Sequence, residues 1–169
     1  MVPGLLLYTC FLLVPVVWSF YYTLFDGSPG IKWNFCGLAN YQKLFTDKQF
    51  LKELTVNIKY IIIVMAGQII LGLMLALMFR FWLKHFKSLV RTIVFFPVVL
   101  PVVAVAQLFT KIYEIQPHYG LLNSILAAVG LDNLVQPWLG QASTALGSLC
   151  AMDIWTSIGF YAIILFSLP

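Results

Sequence analysis

Apolar residues run along this chain in four long blocks, at about 5–25, 54–79, 92–112 and 143–168, and polar residues gather between them. Each block holds about 20 residues or more, which at roughly 1.5 Å of rise per residue crosses a hydrocarbon layer of about 30 Å. The pattern predicts an all-α fold: a polytopic transmembrane helical bundle of four spans in a single membrane domain covering 1–169. The stretch between Tyr113 and Gln141 behaves differently. Leu121, Leu122, Ile125, Leu126 and Val129 recur at helical spacing and stop at Gly130, giving a helix too short to span. A short outer interfacial helix is expected there, with Trp138 as an anchor where the chain re-enters the bilayer.

Details inside the blocks refine the picture. Gly72 and Ala76 lie four apart and put two small residues on one face of the second span, permitting close helix contact. Pro97 and Pro101 each remove a backbone donor from the third span, which is therefore expected to kink or unwind where it faces protein or a cavity. The first block is read as a retained span and not a cleaved leader: no Lys or Arg precedes it, it exceeds a leader's apolar core, and Trp18, Tyr21 and Tyr22 near its end look like an interfacial belt.

The connectors carry the charge. Asp26-Gly27-Ser28-Pro29-Gly30 is a strong turn signal, and 26–53 is expected to be a solvated loop. The connector Arg80 to Arg91 holds four fixed positive charges and no acid. Its charge density places it in the cytoplasm, although the five lysines between 26 and 59 outnumber it in raw count.

A composition of 62% hydrophobic and 9% charged residues leaves too little polar surface for a water-soluble body. The net charge of +4 is scattered between spans, so membrane topology accounts for it and nucleic-acid binding does not. Cys10 and Cys150 fall inside apolar blocks and Cys36 stands alone in a loop; with His85 and His118 also isolated, no disulfide, metal or cofactor is expected. Phosphate cradles, zinc spacings and nucleophile elbows are missing, so the chain is read as a non-enzyme.

The sharpest candidate for function is Asp153, well inside the fourth span. A central membrane Asp costs about 2.5–3.5 kcal/mol on insertion scales, so it should face the bundle interior and find partners or water. Thr156, Ser157, Phe160 and Tyr161 follow at helical spacing and complete one face of carboxylate, hydroxyls and aromatic rings. That mixture suits a sugar, whose hydroxyls seek acceptors while its apolar ring faces stack on aromatics. The plainer alternative is that Asp153 bonds another helix and glues the bundle. Gln107 on the third span and Gln68 on the second are candidates for lining a polar path or bridging helices. Lys111 and Glu114, three apart, are expected to form an exposed helix pair.

The order of segments resembles the maltose-type membrane subunits of binding-protein-dependent ATP-binding-cassette sugar importers. The matching pieces are Gly37-Leu38-Ala39-Asn40-Tyr41-Gln42-Lys43-Leu44-Phe45-Thr46-Asp47 with Phe50, Asn57 and Tyr60; Leu71 to Leu77; Arg91 leading into Phe96-Pro97 and Pro101; Gly120-Leu121-Leu122-Asn123; Trp138-Leu139 with Ala145; and Trp155 with Gly159-Phe160. The resemblance implies a multi-pass permease of a bacterial or archaeal plasma (inner) membrane that alternates between outward and inward openings. Its implied partners are a second permease subunit, two cytoplasmic ATPase subunits and an extracytoplasmic sugar-binding protein. It also implies a six-span core with a Glu-Ala-Ala loop after the fourth span, so a chain ending at Pro169 is expected to be truncated from that core. Asp153 itself is not part of the family pattern. Two further functions remain open from the residues: a permease for a non-sugar solute such as a glycerol phosphate, and a polytopic membrane enzyme acting on a lipid-linked substrate.

Overall fold

The computed structural model describes residues 2–28, 30, 32–81, 87–116 and 118–167. Pro29 of the turn signal, His85 and the centre of the basic connector, Leu168 and Pro169 lie outside the described residues. The chain divides into two compact units, Met1–Thr55 and Val56–Pro169.

The first unit begins with helices α1 (Val2–Tyr8) and α2 (Val14–Tyr22), joined by a π-helical turn at Thr9–Leu13. Pro15 explains the widened turn, because it lacks an N–H and crowds the backbone before it. The Val14 N–H reaches back five residues to the Thr9 carbonyl, and the Thr9 hydroxyl donates to Leu5 O at 2.8 Å. The side chains described on this helix are nearly all exposed, as lipid permits and water does not.

The 26–53 stretch is not the plain solvated loop expected. Strands β1 (Phe25–Ser28) and β2 (Lys32–Phe35) form an antiparallel hairpin, followed by helix α3 (Ala39–Thr46). Asp, Gly, Lys and Asn within four-residue strands give almost no strand signal; long-range bonds supply what propensity lacks. Asn40 Nδ2 donates to the carbonyls of Thr23 and Phe25, each at 2.9 Å, and the Tyr41 and Thr23 hydroxyls pair at 2.7 Å. Gly37 enters the left-handed region, with φ 57°, to turn the chain into α3.

Helix α4 (Lys48–Phe81) begins before the division and supplies the second unit's first crossing. Within that unit, α5 (Lys87–Val99) and α6 (Val102–Ile112) are bent by 99° at the break between them. The expected proline break is thus a near right angle. Pro97 lies inside the first piece, which runs on to Val99, while Pro101 turns extended with ψ 136° and starts the second as its cap. A short helix α7 (Leu121–Ala128) follows, and α8 (Ala142–Ser167) closes the described chain. Among the described residues, three helices are long and apolar enough to cross a membrane, and four crossings result if the bent pair is one span.

Lipid provides no hydrophobic force between helices, so their contacts must come from close backbone approach and hydrogen bonds. The buried positions of α4 are Val64, Gln68, Gly72, Ala76 and Phe79, a stripe that includes the small pair expected from the sequence. A Cβ on Gly72 would sit 3.0 Å from Tyr161 Cβ of α8. Contacts rise together in number along both helices, from Tyr60 with Asp153 to Phe79 with Phe166, so α4 and α8 run parallel. Two crossings separated by one other must have that relation. On another face of α8, Gly159 meets the Val94 backbone of α5 so closely that no side chain fits.

Gly159→Ala is expected to lower the thermal midpoint of the detergent-solubilised chain, at a cost of about 1–3 kcal/mol. Gly147→Ala, where a methyl group would meet nothing within 4 Å, should leave it unchanged; equal midpoints would contradict the packing described.

Candidate functional site

Asp153, Thr156, Ser157 and Phe160 fall within about 100° of arc on α8, given 3.6 residues per turn, and Tyr161 extends that arc toward α4. Because Gly159 and Ala162 are given over to close packing, this polar and aromatic face is turned elsewhere. α4 covers one edge of it. Tyr60 donates to Asp153 Oδ2 at 2.8 Å, and Gln68 Nε2 donates to Ser157 Oγ at 2.6 Å. Ser157 in turn donates to the Asp153 carbonyl at 2.6 Å, so its hydroxyl is committed twice.

The remaining candidates divide by position. Thr156 donates back to the Met152 carbonyl at 2.8 Å, as membrane threonines commonly do, and is half-buried. Phe160 is 48% exposed, and its ring meets Tyr161 edge-on with centroids 5.9 Å apart. Tyr161 has its Cβ against Gly72 of α4. Gln107 is exposed on α6, and the ring contact joining that helix to α8 is made by Phe109 and Trp155, centroids 5.4 Å apart. The open part of the face is therefore Asp153, Thr156 and Phe160, with Ser157 and Tyr161 at its seam with α4.

As expected from the sequence, Gln68 bridges two helices and Lys111 pairs with Glu114, at 2.9 Å on the surface. Tyr60 as the partner of Asp153 went unseen. A tyrosine six residues into an apolar block reads as interfacial, and nothing local connects it to a carboxylate 93 residues away.

One end of the bundle is organised around Asn123, which is fully buried. Its Nδ2 donates to the carbonyls of Glu114 at 3.0 Å and Gln136 at 3.2 Å, and its Oδ1 accepts the Trp138 indole N–H at 2.8 Å. The indole N–H of Trp138, the residue expected as an interfacial anchor, is thus spent on a buried side chain. The Trp138 carbonyl accepts the hydroxyls of Thr144 and Ser148, tying the loop to the first turns of α8. A mostly apolar cleft of about 370 Å3 lies elsewhere, lined by Arg91, Thr92, Phe95, Phe96, Leu100 and Ile163. Its lining offers little to a polyhydroxylated ligand.

No protein-family model matches the chain. A probable ABC transporter permease of Bacillus subtilis is 37% identical over 97% of this chain and 56% of its own length. A diacetylchitobiose uptake permease of Streptomyces coelicolor is 28% identical over 95% of this chain and 48% of its own. A trehalose/maltose transport permease of Thermococcus litoralis is 27% identical over 96% and 54%. The chain spans about half the length of these curated relatives. Among solved structures, a bacterial ABC transporter that imports the acidic polysaccharide alginate superposes with a TM-score of 0.79 at 23% identity, over 99% of this chain and 56% of that one. That likeness shows a shared fold. The relatives are permeases of the kind the sequence motifs resemble, and the similarity holds over nearly the whole chain.

Tyr60→Phe is expected to destabilise the helix pair by about 0.6–1.7 kcal/mol, the range for hydrogen bonds between membrane helices. A double-mutant cycle with Asp153→Ala, read by denaturant unfolding in micelles, should recover that energy as coupling. Additive effects would separate the two residues.

Proposed function

We propose that this chain, similar over nearly its whole length to permeases of ABC sugar transporters, contributes one wall of the path by which sugar crosses a membrane. The observation that carries the reading is the α8 face of Asp153, Thr156 and Phe160, held open beside α4. A carboxylate accepts two sugar hydroxyls, a threonine offers an exchangeable partner, and an exposed phenyl ring stacks on the apolar face of a pyranose. Gln107, on α6, is the further lining candidate.

Tyr60 gives the site a resting state. Its phenol satisfies Asp153 when sugar is absent, which keeps the carboxylate from standing bare in the membrane. An arriving hydroxyl replaces a hydrogen bond already made, so the net energy per contact is modest and the sugar can leave again. That suits transport, where a path must bind weakly enough to release.

On this reading the chain performs no covalent chemistry. It works with a second permease subunit, takes sugar from an extracytoplasmic binding protein, and alternates between outward and inward openings as two cytoplasmic ATPase subunits hydrolyse ATP. Its place is the plasma membrane of a bacterium or archaeon. The similar permeases named for diacetylchitobiose and for trehalose and maltose support a saccharide in preference to a glycerol phosphate.

In a strain whose own gene is replaced, Asp153→Ala is expected to raise the half-saturation for labelled sugar or abolish uptake, while membrane assembly stays normal. Normal uptake across a panel of labelled mono- and disaccharides would end the assignment of Asp153. Loss of uptake for none of them on deleting the gene would end the assignment to sugar.

A further inference from the structure

The β1–β2 hairpin has two unlike faces. In its register Phe25 pairs with Phe35 and Gly27 with Trp33, so three aromatic rings share one face. Asp26 and Asn34 pair on the other, where Lys32 also belongs, and all three are exposed. The hydrophobic-polar alternation that makes a half-buried strand is present, yet within the described unit the aromatic face is not covered: Phe35 is 69% exposed.

That face is continuous with the membrane-crossing helix. Trp18 and Tyr22 meet at 5.8 Å between centroids, Tyr22 and Trp33 at 5.1 Å, Trp33 and Phe25 at 5.1 Å, and Phe25 and Phe35 at 5.4 Å. Tyr21 joins the series through Phe25 at 4.9 Å. The rings thus form an unbroken aromatic surface from the last two turns of the apolar helix Pro3–Tyr22 to the end of β2. The hairpin is also held to the helix end, by the two Asn40 hydrogen bonds to Thr23 and Phe25 and by Cys36 N–H donating to Leu24 O at 2.9 Å.

We propose that the hairpin is a membrane-interface anchor: its Phe25–Trp33–Phe35 face lies in the headgroup region of the leaflet where the first span ends, with Asp26, Lys32 and Asn34 facing water. Depth follows from the backbone. A two-stranded ribbon has unpaired N–H and C=O groups along both edges, which hydrocarbon does not tolerate and the hydrated interface does. Amphipathic elements with aromatic apolar faces settle about 5–10 Å into the boundary between headgroups and acyl chains. Phenol and indole groups at the end of an apolar span favour the same level. The partner is the lipid surface itself, and the function is to set the depth and tilt of the first span.

Neighbouring positions on opposite faces provide the test. In the intact chain, with the three native cysteines replaced by alanine, Phe35→Cys and Asn34→Cys are each labelled with an environment-sensitive fluorophore. The labelled chains are reconstituted into phosphatidylcholine–phosphatidylglycerol vesicles. The probe at 35 is expected to be quenched more strongly by lipid carrying a shallow nitroxide than by lipid carrying a deep one, and to resist aqueous iodide; the probe at 34 should be quenched by iodide. Asp26→Cys, on the polar face, should follow 34, and helical content by circular dichroism checks that each chain is folded. Equal iodide quenching at 34 and 35 would overturn the proposal, as would shielding of 35 only on adding an extracytoplasmic binding protein.

Discussion

Helix α8 can lie against its neighbours only because glycine removes the side chains that would hold them apart. Gly159 meets the backbone of α5, and Gly67 and Gly72 meet Ile154 and Tyr161 from α4. In lipid this closeness substitutes for hydrophobic burial as the source of helix association. It also fixes the rotation of α8, and everything proposed about function follows from that rotation. Once one face is turned to α5 and another to α4, the arc bearing Asp153, Thr156 and Phe160 has only the remaining direction to face.

Polar groups inside the unit follow a consistent economy. Hydroxyls on helices return to their own carbonyls, as Thr110 does to Ala106 and Thr156 to Met152. Amides bridge elements, as Gln68 and Asn123 do. Among the described residues, no buried side-chain nitrogen or oxygen lacks a partner. Asp153 therefore sits within a set of satisfied neighbours and still belongs to the half-buried edge of the bundle. A group placed so is available to a ligand without being stranded in its absence.

What was legible in the sequence depended on whether its cause was local. The spans, the small pair at Gly72 and Ala76, the proline break and the Lys111–Glu114 pair arise from residues within a turn or two of each other, and each is present in the structure. The hairpin is not legible because its strands are only four residues long and carry Asp, Gly, Lys and Asn, and it is secured by Asn40 and Tyr41 from the next helix. The Tyr60 bond to Asp153 and the inward turn of the Trp138 indole were missed for the same reason, since both depend on chain segments far apart in sequence. The Gly37-to-Asp47 and Gly120-to-Asn123 motifs carried the family resemblance while their physical work stayed hidden. Asn40 and Asn123 prove to be the residues that bind each loop together.

The central claim is that the face of Asp153, Thr156 and Phe160 lines a water-accessible sugar path. Single cysteines at 153, 156 and 160, with the exposed position 151, about 160° round the same helix from 153, as a control, can be tested with a membrane-impermeant thiol reagent. Thiols at 153, 156 and 160 are expected to react at rates that fall when transported sugar is added, while 151 stays inert. Inert thiols at all three positions, or labelling that sugar does not change, would contradict it.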